Sequence, residues 1–312
     1  MISCTDFILA YSELFKYIEE KSGRGAVDEF WTHLFKPTGE GIPLINYVEK
    51  EGIRGCFTYW SGSLNEEAAD FSMYVNEKAG WFMLKMHRCP SKGRLLELRE
   101  ETGTEPFHDY CLHCDHYRSA VEKAGLKYMY NFVGTDNASC SIIIYDPEIF
   151  DGKLICDENT VVMERKASDN EYFHQGFHNS LNMGIDYIGE KYGKEGVCEY
   201  LRKYTSVAYG KRIEDIKKNG FKELQDVILD IYTKEKATDA VEFSQEGNIL
   251  RLKVKYCPAV KYLSGDGKKV SEWFSYISKT VFQTIAESAG CSFECKLYDE
   301  ATGRAEYSFE IR

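Results

Sequence analysis

The sequence predicts an α+β fold built as a tandem duplication, roughly residues 7–146 and 172–312, and three observations carry that prediction. Three sequence blocks recur in the same order at nearly constant spacing. Each half reads as N-terminal helices, a strand, a helix and a closing antiparallel hairpin. In both halves a Cys-Pro pair ends the strand and a glycine ends the last helix. Tyr17-Ile18-Glu19-Glu20-Lys21-Ser22-Gly23 returns as Tyr187-Ile188-Gly189-Glu190-Lys191-Tyr192-Gly193, 170 residues on. Trp81 to Pro90 returns as Ile249 to Pro258 at an offset of 168, and Glu122-Lys123-Ala124-Gly125 returns as Glu287-Ser288-Ala289-Gly290 at 165. Blocks that keep their order and drift by five residues mark two copies of one supersecondary unit.

The elements follow in order. An amphipathic helix opens each copy, with Leu14, Tyr17 and Ile18 in the first and Leu181, Ile185 and Ile188 in the second. Helical segments follow at 26–35 and 42–51, matched by 196–205 and 210–219, with a further helical stretch at 221–235. The strand is 80–88 or 248–256, and proline stops its pairing because it has no N–H. A helix at 108–124 or 271–289 ends at Gly125 or Gly290. The hairpins join Tyr128–Val133 to Cys140–Tyr145 and Phe293–Tyr298 to Ala305–Ile311. The expected organisation is therefore a first repeat at 1–146 carrying the functional site, a linker at 147–171, and a diverged second repeat at 172–312.

Composition narrows the function classes. With 312 residues, 43% hydrophobic and 29% charged, the chain suits two ordinary cores. A net charge of −11 argues against nucleic-acid binding, which needs clustered Lys and Arg, and against anionic membranes. No signal peptide or apolar run of spanning length is visible, so a cytoplasmic protein is expected. In that reducing setting the 11 cysteines read as thiols.

The densest chemistry lies in His108-Asp109-Tyr110-Cys111-Leu112-His113-Cys114-Asp115-His116, which holds three of the seven histidines. The second copy has Trp273 to Val281 there, so the cluster belongs to the first copy. Cys111 and Cys114 make a half-site for a transition metal such as zinc, with His108 as a further donor, but the chain has no second Cys-x-x-Cys. On a regular α-helix Cys111 and Cys114 lie within about 60° of each other, but His113 lies about 100° and His116 about 160° from Cys114, so one ion cannot take all four. The second copy's apolar stripe places His113 inward and Cys114 at its edge. Cys114 is the candidate nucleophile, with Arg118 expected on its face to favour the thiolate, His113 the base and Asp115 the group orienting a histidine. Cys140 is a second candidate nucleophile. Cys111, His116, Tyr117 and Cys89 are candidates for holding a small-molecule ligand. Cys89 and Cys257 are the cysteines shared by both copies. His174 and His178, four apart, would share one helix face, although no zincin glutamate stands between them.

The order Tyr-Cys-x-His-Cys-Asp on a helix, then a helix-ending glycine, then a hairpin with Cys before aliphatics, resembles the L-2-amino-thiazoline-4-carboxylate hydrolase family. It is also similar in outline to 4-vinyl-reductase-type ligand-binding domains. The similarity covers Tyr110 to Ile144 well. Its matching positions are Cys111, Cys114, Asp115 and Cys140; the second copy departs at all four, with Tyr276, Lys279, Thr280 and Ala305. The resemblance implies hydrolytic opening of a cyclic amidine or similar C–N bond, thiol- or metal-assisted, or a small-ligand sensor. Three readings stay open: an enzyme, a metal- or ligand-binding module, and an internal pseudo-dimer whose cysteines are core; a small-molecule ligand and a homo-oligomer are the expected partners.

Overall fold

The computed structural model describes residues 1–36 and 42–311. In chain order the main elements are α1 (Phe7–Ser22), α2 (Arg24–Leu34), α3 (Leu44–Glu51), α4 (Ile53–Glu66), β1 (Asp70–Asn76), β2 (Trp81–Arg88), α5 (Pro90–Thr102), a 3-10 helix (Tyr110–Tyr117), α6 (Arg118–Lys123), β3 (Lys127–Asn131), β4 (Cys140–Tyr145) and β5 (Val161–Arg165). There follow α7 (Phe177–Asn219), α8 (Phe221–Lys234), β6 (Val241–Glu246), β7 (Ile249–Val254), α9 (Pro258–Gly265), α10 (Ser275–Ser288), β8 (Cys291–Tyr298) and β9 (Ala305–Ile311). The α+β class is as the sequence predicts.

Two compact units form. One holds Ser22–Glu97 and Glu105–His174, and is called the first unit below. The second unit holds Met1–Lys21, Leu98–Thr104 and the chain from Gln175 onward. This division differs from the one expected at 146 and 172. Helix α1 packs with the later part of the chain: Phe7 stacks on Phe177, its partner at the offset of 170, with ring centroids 4.6 Å apart. The segment 147–171 is not a bare linker, because β5 within it adds to the first sheet beside β1.

Both sheets are antiparallel, and both place their strands alike. The first runs β3-β4-β2-β1-β5 and the second β8-β9-β7-β6, so each sets two hairpins side by side with their later strands in contact. The single strand expected in each copy is thus the second arm of a hairpin. Its first arm, β1 or β6, is the addition. The register also corresponds: Met86 faces Cys140, and Val254 faces Ala305. The first core lies between the sheet and α3, α4 and α6; Trp60 stacks on Phe82 at 5.4 Å, with Val121, Ile142 and Ile144 buried around them. In the second unit Phe282 of α10 meets Tyr307 edge-on at 5.4 Å.

The Cys-Pro pairs explain why the chain leaves each sheet as it does. Pro90 and Pro258 open α5 and α9, where a missing N–H costs nothing and the fixed φ suits a helix. The preceding cysteine still donates its N–H across the next hairpin, Cys89 to the Ala138 carbonyl at 2.6 Å and Cys257 to the Thr302 carbonyl at 2.9 Å. Close approach there needs a left-handed residue, Ala138 at φ 60° or Gly303 at φ 66°. A Cβ on Gly303 would sit 2.2 Å from Cβ of Cys257. We therefore expect Gly303→Ala to destabilise the protein by roughly 2 kcal/mol or more, combining left-handed strain with the clash. Urea unfolding checks this; an unchanged midpoint would count against the packing described.

Candidate functional site

The segment around Cys111 is not the regular α-helix expected over 108–124. Residues Tyr110–Tyr117 wind as a 3-10 helix before α6 begins. At three residues per turn, side chains three apart eclipse one another. One ridge therefore carries Cys111, Cys114 and Tyr117, and another carries Tyr110, His113 and His116. Asp115 falls on the third.

The histidine ridge lies on aromatic residues of α2 and its C-terminal end. The His116 ring is 5.6 Å from Trp31 and 6.0 Å from Phe35, and His113 is 6.3 Å from Trp31. Arg24 locks this layer by reaching Asp109 at 2.8 Å with its guanidinium over Trp31 at 4.6 Å. The Nδ1 of His113 donates to the Tyr110 carbonyl, which fixes the tautomer and turns Nε2 to Cys114, 3.6 Å from its sulfur. Burial lowers the His113 pKa to about 4.

The thiol ridge faces Cys89 and Cys140. Cys89 lies beyond the end of β2, and Cys140 begins β4 opposite Met86. The thiol of Cys114 is raised further by Cys89, Cys140 and Cys111, and that of Cys89 by Cys140 and Cys111, so the four are neighbours. Burial raises all four. Cys111 reaches about 11 against the pull of the Lys92 ammonium, while Cys89 and Cys114 rise further. The Tyr130 hydroxyl lies beside Cys140 and Cys114 and opposes the rise of both thiols. Tyr117 and Tyr59 line its continuation, their hydroxyls 3.5 Å apart. Glu67, which follows α4, completes it: burial raises its carboxyl, and its charge acts on Cys89, Tyr59 and Tyr117.

Sequence reasoning therefore brought together Cys89, Cys111, Cys114, Cys140 and Tyr117, with His113 behind Cys114. It missed Glu67, Tyr59 and Tyr130. The signal for Glu67 was its match at offset 168 to Glu235, since both follow a helix and precede a residue at positive φ. Four expectations need correction. Asp115 orients no histidine here; it pairs with Arg118 at 2.7 Å on the other ridge. That pairing, with Glu122 and the Tyr128 carbonyl, engages the Arg118 guanidinium, so it does not favour a Cys114 thiolate. His108 is 60% exposed, faces Asp109 at 3.2 Å, and is not among the charges acting most strongly on the four thiols. His174 precedes α7 and pairs with Glu66 at 2.5 Å, so it makes no i,i+4 face with His178, which is buried against Glu235.

The second unit answers the thiol ridge with an ammonium. Lys279, the counterpart of Cys114, places Nζ 4.5 Å from the Tyr298 ring and 5.5 Å from that of Tyr276; burial raises the Cys295 thiol and the Lys279 ammonium opposes that rise. A concavity on the outer face of the second sheet, lined by Arg251, Lys253, Lys296, Glu242 and Glu306, holds exposed charges that pair locally, as Arg251 does with Glu246 at 3.3 Å. It gathers no comparable chemistry.

Two outcomes follow for the isolated protein. All eleven cysteines are free, and Cys156 is exposed while the four clustered thiols are half-buried with raised pKa. Iodoacetamide at pH 7 should modify Cys156 before Cys114, read by mass spectrometry of partly alkylated protein; fast alkylation of Cys114 would contradict this environment. The His113 imidazole has a folded pKa below its unfolded one, so the unfolded state takes up the extra proton first. Stability should fall as pH drops from about 6.5 to about 4, by roughly 2 kcal/mol after allowing for partial solvent contact. His113→Gln should flatten that part of the pH–stability curve; an unaltered slope would place the titration elsewhere. No family model, no curated protein and no solved structure matches this chain.

Proposed function

We propose that the first unit is a metal-binding module that takes a soft divalent cation of the zinc class on Cys89, Cys111, Cys114 and Cys140. One observation carries the reading: four thiols from three separate elements share one half-buried group, and at the Cys114 position the second unit supplies its own cation, Lys279. Thiols crowded this way are neutral when alone, because burial and mutual repulsion both oppose ionisation. A cation reverses that balance, since a coordinating thiol loses its proton. The ridge spacing supplies a Cys-x-x-Cys pair, and Cys89 and Cys140 supply the other two donors of a Cys4 set. The sulfurs do not yet stand at ligand spacing. Among the described residues Cys4, His178 and Glu235 alone have donor atoms all within 4.8 Å of one another. Loading would draw the cysteines inward by χ1 rotation. The Nε2 of His113 is placed to accept the proton that Cys114 releases.

The same contact favours a second reading, the hydrolysis of a cyclic amidine expected from the resemblance. Cys114 and His113 have dyad geometry, but a thiol raised by burial and an imidazole lowered by it keep the proton on sulfur. Hydrolysis here would be metal-assisted, with Glu67 and the tyrosines Tyr59, Tyr117 and Tyr130 meeting a small polar ligand. Among the described residues no helix is long and apolar enough to cross a membrane. A cytoplasmic, reducing setting would keep these thiols available. We read the two units as diverged copies, the second having exchanged its site for Lys279.

Metal analysis of anaerobically purified protein tests the proposal. The double variant Cys111→Ser/Cys114→Ser should carry one equivalent of zinc per chain less than the parent, and Lys92→Ala should carry the same amount. Equal metal in the double variant and the parent would overturn the thiolate site. Turnover of 2-amino-thiazoline-4-carboxylate that survives Cys114→Ser would overturn the hydrolytic reading.

A further inference from the structure

We infer that the second unit holds a separate ion of the zinc class on Cys4, His178 and Glu235. The three residues are far apart in the chain and belong to three places in the unit. Cys4 lies just before α1, His178 is the second residue of α7, and Glu235 follows α8. All three are buried, at 0%, 1% and 3% exposure. Their donor atoms lie within 4.8 Å of one another. Nε2 of His178 is 3.1 Å from Oε2 of Glu235. That is close to the roughly 3.3 Å edge of a tetrahedron with bonds of about 2.0 Å to nitrogen and oxygen.

The carboxylate is held as a ligand needs to be held. Its Oε1 accepts the backbone N–H of Cys4 at 2.5 Å, which fixes the group and leaves Oε2 on the histidine side. The donor set also balances charge. A thiolate, a carboxylate and a neutral imidazole around a divalent ion sum to zero, the arrangement that a fully buried site tolerates. One sulfur, one imidazole nitrogen and one carboxylate oxygen match zinc and related transition ions rather than calcium or magnesium. Phe7 stacks on Phe177 beside the two helix starts and the Tyr262 ring is 6.0 Å from His178, while the Asp6 carboxylate acts on Cys4 and the buried Met1 amino group on Glu235. The ion would join the start of α1, the start of α7 and the end of α8, and so would stabilise the fold of this unit. This site uses no residue of the four-thiol group and stands or falls separately from it.

The test uses the full-length chain loaded with cobalt(II) after removal of bound metal. In the variant with Cys89, Cys111, Cys114 and Cys140 all changed to Ser, about one equivalent of cobalt should remain, with a thiolate-to-cobalt charge-transfer band. Adding Cys4→Ser should abolish the band and the equivalent, while Cys295→Ser should leave both. Should the fourfold variant not fold, the same comparison is made in the parent, where Cys4→Ser alone should remove one equivalent and its share of the band. If the four-thiol site does not exist, the parent binds a single equivalent that Cys4→Ser removes, which still supports this site. Cobalt binding unaffected by Cys4→Ser would overturn it, leaving the three residues as a closed hydrogen-bond network.

Discussion

The winding of eight residues at three per turn governs what the first unit can do. On an α-helix Tyr110–Tyr117 would spread its cysteines and histidines around the axis, and Tyr117 would drift from Cys111. The 3-10 geometry stacks Cys111, Cys114 and Tyr117 in a row and sets His113 and His116 in the next. Such runs are usually shorter, because their hydrogen bonds are poorer, so tertiary contacts have to hold this one. Arg24 ties its start through Asp109, the Tyr128 hydroxyl donates to the Cys114 carbonyl at 2.7 Å, and Arg118 fastens its end to Asp115 and the β3 backbone. Each tie comes from a different element. The thiol row is thereby aimed at the end of the sheet, where the Cys89 and Cys140 positions are fixed by the Cys-Pro junction and the β2–β4 register.

The two units solve one electrostatic problem in two ways. In both, a Cys-Pro cysteine follows the second strand and a glutamate follows a helix, Glu67 half-buried and Glu235 buried. In the second unit Lys279 sets a positive charge over Tyr298 and beside Cys295, and Ala305 stands where the first unit has Cys140. In the first unit the Lys92 ammonium lowers Cys111, and burial still wins. A group of acidic protons with raised pKa values is a store that a metal can discharge. The same raised values weigh against a free thiolate nucleophile.

The recurring blocks made part of each sheet legible: the strand before the Cys-Pro pair and the closing hairpin were expected, and Cys140 and Ala305 hold matching registers opposite Met86 and Val254. What it hid has physical causes. Pro90 and Pro258 were read as strand stops, yet proline is equally at home in the first turn of a helix, so α5 and α9 passed unnoticed. Strand β1 carries buried residues in succession, and β6 has only two apolar residues and is exposed over its second half, so neither shows a sustained alternation of its own. Strand β5 gains its shape from pairing with β1 rather than from its own pattern. The group of Cys4, His178 and Glu235 depends on contacts 57 and 231 residues apart, which no local period reports. Glu67 escaped for the same reason.

The most direct test of the central claim is anomalous diffraction at the zinc absorption edge from crystals of the protein purified with its metal. The account predicts a peak enclosed by Cys89, Cys111, Cys114 and Cys140, with sulfurs drawn to about 2.3 Å from it. A map with no peak there, and with four separate protonated thiols in refined positions, would contradict it.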